Sequence, residues 1–152
     1  KVLTFILIIQ MFSGIYAYSM DLIYPFSKSK VAAEYIKKER LEKSFILADN
    51  NTIVSPISAY INENIYYLAY EKSGSFFYNP QVKFIKSQSE LIDKIKPAIK
   101  NSQRKNILIL SYPLDIKTSE LKFTKLKEFK NSIVAEERYY IYLVERNNNF
   151  YI

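Results

Sequence analysis

The sequence contains neither cysteine nor histidine, and these two absences exclude several kinds of site. Without cysteine the chain has no disulfide framework, no thiolate nucleophile and no zinc-finger spacing. Without histidine it lacks the commonest general base and metal ligand. A Ser-His-Asp or Cys-His catalytic group therefore cannot be built from this chain alone. Any metal site would need oxygen ligands only, and the acids do not follow calcium-loop spacing, so we expect no metal.

Glycine is also scarce, with two residues in the whole chain. The segment that follows the first predicted strand, LADNNTIVSPIS (residues 47–58), contains none. The GxGxxG fingerprint and the P-loop both need glycine at this point, because backbone amides must approach the phosphates closely. The sequence therefore predicts neither of these nucleotide-binding motifs, and we expect no cofactor.

Positive charge is in excess, but it is not concentrated. The chain has 22 Lys and Arg residues against 15 Asp and Glu residues, which gives a formal net charge of +7. Only four of the basic residues are arginines, and the lysines recur singly along the chain. Nucleic-acid interfaces have basic residues clustered on one face or along one helix. We therefore interpret the lysines as a solvated surface and expect no nucleic-acid partner.

A long apolar run opens the chain. Residues 2–18, VLTFILIIQMFSGIYAY, carry no charge. A helix that crosses the ~30 Å hydrocarbon core needs about 20 apolar residues, with about 17 as the lower limit. Tyr16 and Tyr18 stand at the end of the run, and aromatic side chains favour the membrane interface. We predict a transmembrane helix within residues 1–20, in contact with the lipid bilayer through residues 2–18, and an extracytoplasmic domain over residues 21–152.

Two alternatives to a membrane helix remain open at the level of sequence. A signal peptide would be cleaved after Ala17, the small residue that ends GIYA. A core helix of a soluble domain is the other alternative, and the lack of a polar face argues against it. The membrane helix and the signal peptide both place the residues after about 20 outside the cytoplasm, at a bacterial inner membrane or cell surface. Because Lys1 stands in mid-pattern where a Met would begin the chain, we expect a fragment or a processed chain.

Periodicity and capping signals predict helices and strands in alternation after the apolar run. The predicted helices are residues 28–40 behind a Ser27 or Ser29 cap, a short helix with Ser55 as N-cap and Pro56 as first residue, and residues 87–101, with a Ser87–Glu90 capping box and Pro97 near the end. The predicted strands are residues 44–49, 65–70, 75–79, 106–113, 120–129 and 138–147. This order indicates an α/β fold. Buried apolar strands followed by helices favour a small Rossmann-like mixed sheet with flanking helices, in which the last two strands are antiparallel edge strands.

Polar residues follow two of the predicted buried strands. In open α/β sheets, ligands bind beyond the carboxyl ends of the strands. That region would hold five candidate ligand-binding residues, Asp49, Asn50, Ser55, Ser58 and Tyr112. A helix N-terminus near Ser55 could receive an anionic group. The structural alternative is that Asp49 and Asn50 form a turn and that Ser55 caps a helix.

Carboxylate pairs and tyrosines are the remaining groups with possible chemistry. Glycosidases need two carboxylates that face each other across ~5 to 9.5 Å. Glu136 and Glu137 are adjacent just before a strand, so their side chains point to opposite sides and make a poor pair. The numerous tyrosines could stack on sugars, although packing in the core and on sheet faces explains them equally well. We predict no catalytic residue in this chain.

Four segments together resemble a known family. YPFSKSKVAAEYIKK directly follows the apolar run, and SAYINENIYY, GSFFYN and a closing EERYYIYLVER come after it. This pattern resembles the C-terminal end of bacterial multi-pass membrane proteins of the GT-C type. These are glycosyltransferases that use lipid-linked sugars and are related to the dolichyl-phosphate-mannose protein mannosyltransferases. The resemblance spans nearly the whole chain, and its motifs are structural rather than catalytic.

The resemblance implies a fold and a role for this chain. In such proteins the last membrane helix leads into an extracytoplasmic α/β domain, and the catalytic acid lies far upstream in an external loop. No catalytic residue can therefore be carried over to this sequence. The resemblance implies a non-catalytic tail that helps to bind an acceptor, a glycan or a lipid-linked sugar. The alternative is a stand-alone exported or membrane-anchored binding domain with no enzymatic role.

Overall fold

A computed structural model of the chain describes residues 2–23, 26–76, 83–115, 118–134 and 137–147. The helices are α1 (Val2–Ile23), α2 (Ser29–Lys38), α3 (Asn51–Ile61) and α4 (Gln88–Ala98). The strands are β1 (Phe45–Ala48), β2 (Ile65–Tyr67), β3 (Lys72–Gly74), β4 (Asn106–Leu110), β5 (Leu121–Phe129) and β6 (Tyr139–Arg146).

The six strands form one mixed sheet in the order β3-β2-β1-β4-β6-β5. The strands β2, β1 and β4, which are neighbours in this order, are parallel to one another. The pairs β2–β3, β4–β6 and β5–β6 are antiparallel. The α/β fold and the partly parallel sheet predicted from the sequence are therefore confirmed. The antiparallel character of the last two strands is also confirmed, although β6 lies inside the sheet and only β5 forms that edge.

Helices cover both faces of this sheet. On one face α2 and α3 pack side by side against strand residues such as Ile46, Ile107 and Ile141. On the other face α4 packs against the alternate strand residues, which include Leu47 and Leu108. Successive side chains of a strand point to opposite faces, so a strand covered on both sides is apolar throughout. This double burial explains why FILA is a continuous apolar run and why NILIL is apolar after Asn106.

The start of α3 differs from the prediction. The helix begins at Asn51, and the Asn50 side chain caps it by accepting a hydrogen bond from the Thr52 N–H at 2.8 Å. The prediction that Ser55 is the cap and Pro56 the first helical residue is therefore wrong. Pro56 lies inside the helix, where it removes one backbone hydrogen bond. The extra turn compensates because it buries Val54 on the sheet.

The first strand after α3 is shorter than the strand predicted over residues 65–70. β2 ends at Tyr67, and the backbone N–H of Glu71 donates to the Tyr67 carbonyl at 2.8 Å. Glu71 has a positive φ of 55°, so the chain reverses here and β3 begins at Lys72. The strand predicted over residues 75–79 is therefore displaced: residues 75 and 76 follow β3, and residues 77–79 lie outside the described residues.

The signals in and around α4 are confirmed at both ends. The Ser87 hydroxyl accepts a hydrogen bond from the Glu90 N–H at 3.1 Å, as the capping box predicts. The Glu90 carboxylate reaches back to the N–H of Lys86 at 2.9 Å rather than to that of Ser87. Pro97 lies in the last turn, and the Lys100 N–H then bonds to the Pro97 carbonyl at 3.2 Å. This spacing of three residues is the tightened ending expected beside a proline.

The N-terminal helix stands apart from the sheet. α1 has 22 residues, which corresponds to a length of about 33 Å. Among the residues that the structure describes, this helix is long and apolar enough to cross a membrane, and none of its segment Val2–Met20 is buried. It continues past Tyr18, where the predicted apolar run ended, as far as Ile23. The prediction of an apolar helix at the N-terminus is therefore confirmed.

Truncation of one central side chain tests this layered core. Leu108 is fully buried in β4 between β1 and β6. We expect Leu108→Ala to lower the free energy of unfolding by about 2–5 kcal/mol, because it removes apolar contacts and leaves a cavity. Urea unfolding of the full chain in detergent micelles, followed by circular dichroism, measures this change.

Ile133→Ala is the matched control for this substitution. The Ile133 side chain is 62% exposed, so its truncation should change the free energy of unfolding by less than about 0.5 kcal/mol. Equal effects of the two substitutions would contradict the assignment of Leu108 to the core.

Candidate binding site at the carboxyl ends of the parallel strands

Two neighbouring parallel strands end side by side and bring two of the candidate residues together. β1 and β4 pair in register from Phe45 opposite Asn106 to Ala48 opposite Ile109. The residues that follow, Asp49 and Tyr112, therefore leave the sheet at the same edge. The chain leaves β1 towards α3 on one face, whereas α4 lies on the other face. In open α/β sheets, ligands bind in the crevice beyond the carboxyl ends of the strands, which is the region of Asp49 and Tyr112.

Asp49 is the buried acid of this crevice. Its side chain is 8% exposed, and its Oδ1 accepts a hydrogen bond from the Asn50 N–H at 2.8 Å. Burial penalises the carboxylate and raises the pKa of Asp49 to about 6, although hydrogen bonds from backbone N–H groups and from the Tyr112 hydroxyl act in the opposite direction. Burial and the nearby Asp49 charge together raise the pKa of Tyr112. The tyrosine hydroxyl therefore serves as donor and the carboxyl group as acceptor.

The polar groups around Asp49 tie three loops together. The Asp49 side chain joins the end of β1 to Tyr112 after β4. Its carbonyl oxygen accepts a hydrogen bond from the Ala69 N–H at 3.3 Å, in the turn after β2. Asn50 is occupied as the cap of α3. These hydrogen bonds hold the loops after β1, β2 and β4 together, and each of these groups already has a partner within the protein. We refer to the contact between Asp49 and Tyr112 as the latch.

The two candidate serines lie elsewhere. Ser55 is half-buried within α3, about one turn from the start of the helix. Ser58 is 1% exposed a turn further on, and its hydroxyl donates to the Glu63 carbonyl at 2.6 Å. The structure thus groups Asp49, Asn50 and Tyr112 and separates both serines from them. The cause is the early start of α3, which carries the serines along the helix and away from the strand ends.

An open hollow adjoins the latch and was not predicted from the sequence. It has a volume of about 410 Å³ and is lined by Ala69, Tyr70, Glu71, Lys83, Phe84, Lys86, Glu90 and Lys94. These residues come from the turn after β2, from the segment before α4 and from the first turns of α4. We refer to this cavity as the lysine hollow. It lies at the carboxyl end of the sheet, because Gln88 of α4 accepts a hydrogen bond from the Asp115 N–H at 3.2 Å, in the loop after β4.

The lysine hollow has an excess of positive charge. The ammonium group of Lys94 lies 2.7 Å from the Glu71 carboxylate, which lowers the pKa of Glu71 and raises that of Lys94. Lys83 and Lys86 have no salt bridge with any residue in the described ranges. Beside them the Phe84 ring is 63% exposed. The charge of Lys83 acts on Glu71 without a direct salt bridge. Two lysines that make no salt bridge, beside an exposed aromatic ring, suit a ligand that carries both a negative charge and an apolar or sugar face.

The remaining acids do not form a second centre. The carboxylate pair considered from the sequence, Glu136 and Glu137, lies partly outside the described residues, because the structure describes Glu137 but not Glu136. The Glu137 carboxylate accepts a hydrogen bond from the Ser27 hydroxyl at 2.6 Å and lies 2.7 Å from the Tyr139 hydroxyl. No group of three or more acidic side chains within the described part of the chain could hold a metal ion.

Comparison of the chain with protein-family models, with curated proteins and with solved structures finds no match. The class that the fold itself defines is an α/β domain with a six-stranded mixed sheet, preceded by one long apolar helix.

The raised pKa of Asp49 gives the domain a specific dependence on pH. Its pKa rises from 3.8 in the unfolded chain to about 6 in the folded protein, so the folded state binds this proton more tightly. The resulting stabilisation is complete below about pH 4 and is lost as the pH rises through 6. We expect the wild-type protein to lose on the order of 3 kcal/mol from this group between pH 4 and pH 7. Asp49→Asn should lack this loss in urea unfolding measured across that range.

Tyr112→Phe provides the matched test of the latch. The Tyr112 hydroxyl lowers the pKa of Asp49 by hydrogen bonding to the carboxylate. Its removal should move the pH-dependent loss of stability to higher pH, while Asp49→Asn combined with Tyr112→Phe should show no such dependence. A carboxyl carbon NMR titration that finds the wild-type Asp49 near its ordinary pKa would contradict this description.

Proposed function

We propose that the chain is the non-catalytic, membrane-anchored tail of a glycosyltransferase-like membrane protein that uses a lipid-linked sugar donor. In this proposal α1 spans the bilayer and residues after about 20 form a Rossmann-like domain outside the cytoplasm. The domain assists in binding the acceptor, the glycan or the lipid-linked sugar. The four sequence segments that resemble GT-C type proteins motivate the assignment to this class.

One observation carries the proposal. The helix α1, whose 19-residue apolar segment Val2–Met20 is not buried, leads within a few residues into an α/β domain with an open hollow at one end, and three lysines and two glutamates line this hollow. An apolar helix whose segment Val2–Met20 is not buried by the rest of the protein is stabilised by a lipid environment. The parallel order β2-β1-β4, with helices on both faces, supports the Rossmann-like description.

The chemistry of the side chains favours binding over catalysis. The sequence supplies no histidine or cysteine for acid–base or nucleophilic work. The buried acid Asp49 is held by Asn50 and Tyr112. A carboxyl group engaged in this way has little freedom to exchange protons with a substrate.

The lysine hollow is the place where we propose that a sugar phosphate binds. Lys83 and Lys86 would contact the phosphate, and the exposed ring of Phe84 offers a stacking surface for a sugar. Both lysines precede Ser87, the cap of α4, so the positive end of this helix adds to the local potential. Lipid-linked sugar donors join a sugar to a lipid through phosphate, which matches these two features.

The second candidate function is a stand-alone anchored domain that binds a ligand without being part of an enzyme. The observation that favours it is that residues of this chain alone line the lysine hollow, so binding there needs no other part of an enzyme. The complete open reading frame separates the two candidates. About ten further apolar segments upstream would support the glycosyltransferase, whereas a Met codon directly before Lys1 would support the stand-alone domain.

Titration with a soluble glycosyl phosphate tests binding at the hollow. In the full chain, reconstituted in nanodiscs, we expect amide shifts at Lys83, Phe84 and Lys94. Replacement of the two lysines that make no salt bridge (Lys83→Gln, Lys86→Gln) should weaken the affinity for the glycosyl phosphate about tenfold or more, equivalent to about 1.4 kcal/mol of binding free energy.

The control for this titration is Lys100→Gln with Lys105→Gln, which removes the same charge at exposed sites near the start of β4. This variant should bind like the wild-type protein. Equal losses in the two double variants would indicate a general charge effect and would contradict a site at the hollow. Turnover of the glycosyl phosphate by the purified chain would contradict the non-catalytic role.

A further inference from the structure

The chain enters the α/β domain at the carboxyl end of the sheet, and the entry is held by hydrogen bonds. The Lys28 N–H donates to the Glu137 carbonyl at 3.3 Å, and the Ser27 hydroxyl donates to the Glu137 carboxylate at 2.6 Å. The Val134 N–H donates to the Phe26 carbonyl at 3.5 Å. Residues 26–28, which follow α1 in the chain, are therefore attached to Val134 and Glu137.

Val134 and Glu137 lie at the same end of the sheet as the Asp49–Tyr112 latch. They precede β6, which runs antiparallel to β4 and places Tyr140 opposite Leu110 at the end of that strand. The start of β6 is further joined to α3, because the Tyr139 hydroxyl lies 2.9 Å from the Ile53 carbonyl. The point of entry, the latch and the lysine hollow therefore share one end of the domain.

The length of the link limits how far this end can move from the bilayer. Phe26 is three residues beyond Ile23, the last residue of α1. Three residues of extended chain span at most about 10 Å. If α1 crosses the bilayer, as proposed above, Phe26 must remain within about 10 Å of the end of that helix.

Exposed apolar side chains lie at this point of the surface. Phe26 is 61% exposed and Ile133 is 62% exposed, and they are neighbours through the Val134–Phe26 hydrogen bond. Basic residues lie nearby in the chain, because Arg138 is exposed and Lys28 is partly exposed, and the Lys28 N–H bonds to the carbonyl of Glu137, the neighbour of Arg138. Apolar side chains next to lysine and arginine are typical of surfaces that rest on an anionic membrane.

We propose that Phe26 and Ile133 form a second membrane contact, by which the carboxyl end of the sheet rests on the lipid surface. The two apolar side chains enter the headgroup region, while Lys28 and Arg138 contact anionic headgroups. The lysine hollow then lies at the membrane-facing end of the domain. Its ligand is accordingly one that the bilayer presents, with its phosphate at headgroup level.

Single cysteines test this contact, since the native chain contains none. The variants Ile133→Cys, Tyr60→Cys and Ile9→Cys each carry an environment-sensitive fluorophore in the full chain, in nanodiscs of phosphatidylethanolamine and phosphatidylglycerol. Ile133 is 110 residues from Ile23 in sequence, so its label reports on the orientation of the domain. Tyr60 is 48% exposed near the end of α3, at the opposite end of the sheet, and is the matched control. Brominated lipids serve as the quencher.

The expected result is strong quenching at residues 9 and 133 and none at residue 60. Quenching at residue 9 with a water-exposed label at residue 133 would overturn the second contact and leave the membrane anchor intact. A label at residue 133 shielded from both lipid and a water-soluble quencher would mean a protein partner, such as a second copy, and would also overturn it. Absence of quenching at residue 9 would reject the anchor itself.

A second experiment separates an active contact from proximity caused by the link alone. A label at Lys130→Cys leaves Phe26 and Ile133 native, and Lys130 lies at the end of β5, on the same side of the domain. We expect its quenching by brominated lipids to fall at least twofold when Phe26→Ser and Ile133→Ser are combined. Unchanged quenching would show that these side chains do not hold the domain on the membrane.

Discussion

The parallel pairing of β1 with β4 is the contact on which the rest of the structure depends. Parallel neighbours cannot be joined by a tight turn, so the chain between them must cross over the faces of the sheet. It does so with α3 on one face and α4 on the other, and each helix buries one set of alternate strand residues. The same pairing places Asp49 and Tyr112 next to each other although 62 residues separate them in sequence. The pairing of β1 with β4 therefore determines both the layered core and the position of the candidate site.

A second network connects this domain to the N-terminal helix. Glu137 receives hydrogen bonds from Ser27 and Lys28 and lies beside the Tyr139 hydroxyl. Tyr139 is fully buried, and burial together with Glu137 raises its pKa, so the hydroxyl remains protonated as a donor. These hydrogen bonds make Ser27 and Lys28 a defined point of attachment to the domain. It orients one end of the sheet towards the membrane in our proposal.

Much of the fold was predictable because its strongest signals are local. FILA is apolar throughout and NILIL is apolar after its first residue, and this composition is typical of a strand buried on both faces. The Ser87 cap of α4 likewise involves groups three residues apart. The start of α3 was missed because Asn50 and Ser55 both carry good capping side chains, and the choice between them depends on burial of Val54 against the sheet. The lysine hollow was missed because Glu71 and Lys94 meet only through the packing of α4 beside β2.

The sequence by itself determined the apolar N-terminal helix, the α/β class and the lack of a histidine or cysteine chemistry, because composition and short-range periodicity are sufficient for each of these. The tertiary structure decided which polar residues meet. It joined Asp49 to Tyr112 as a buried pair, removed Ser55 and Ser58 from the strand ends, and assembled Lys83, Phe84 and Lys86 into a hollow beside them. The physical reason is that strand order and helix placement follow from burying both faces of one sheet, and this is a property of the whole chain rather than of any segment.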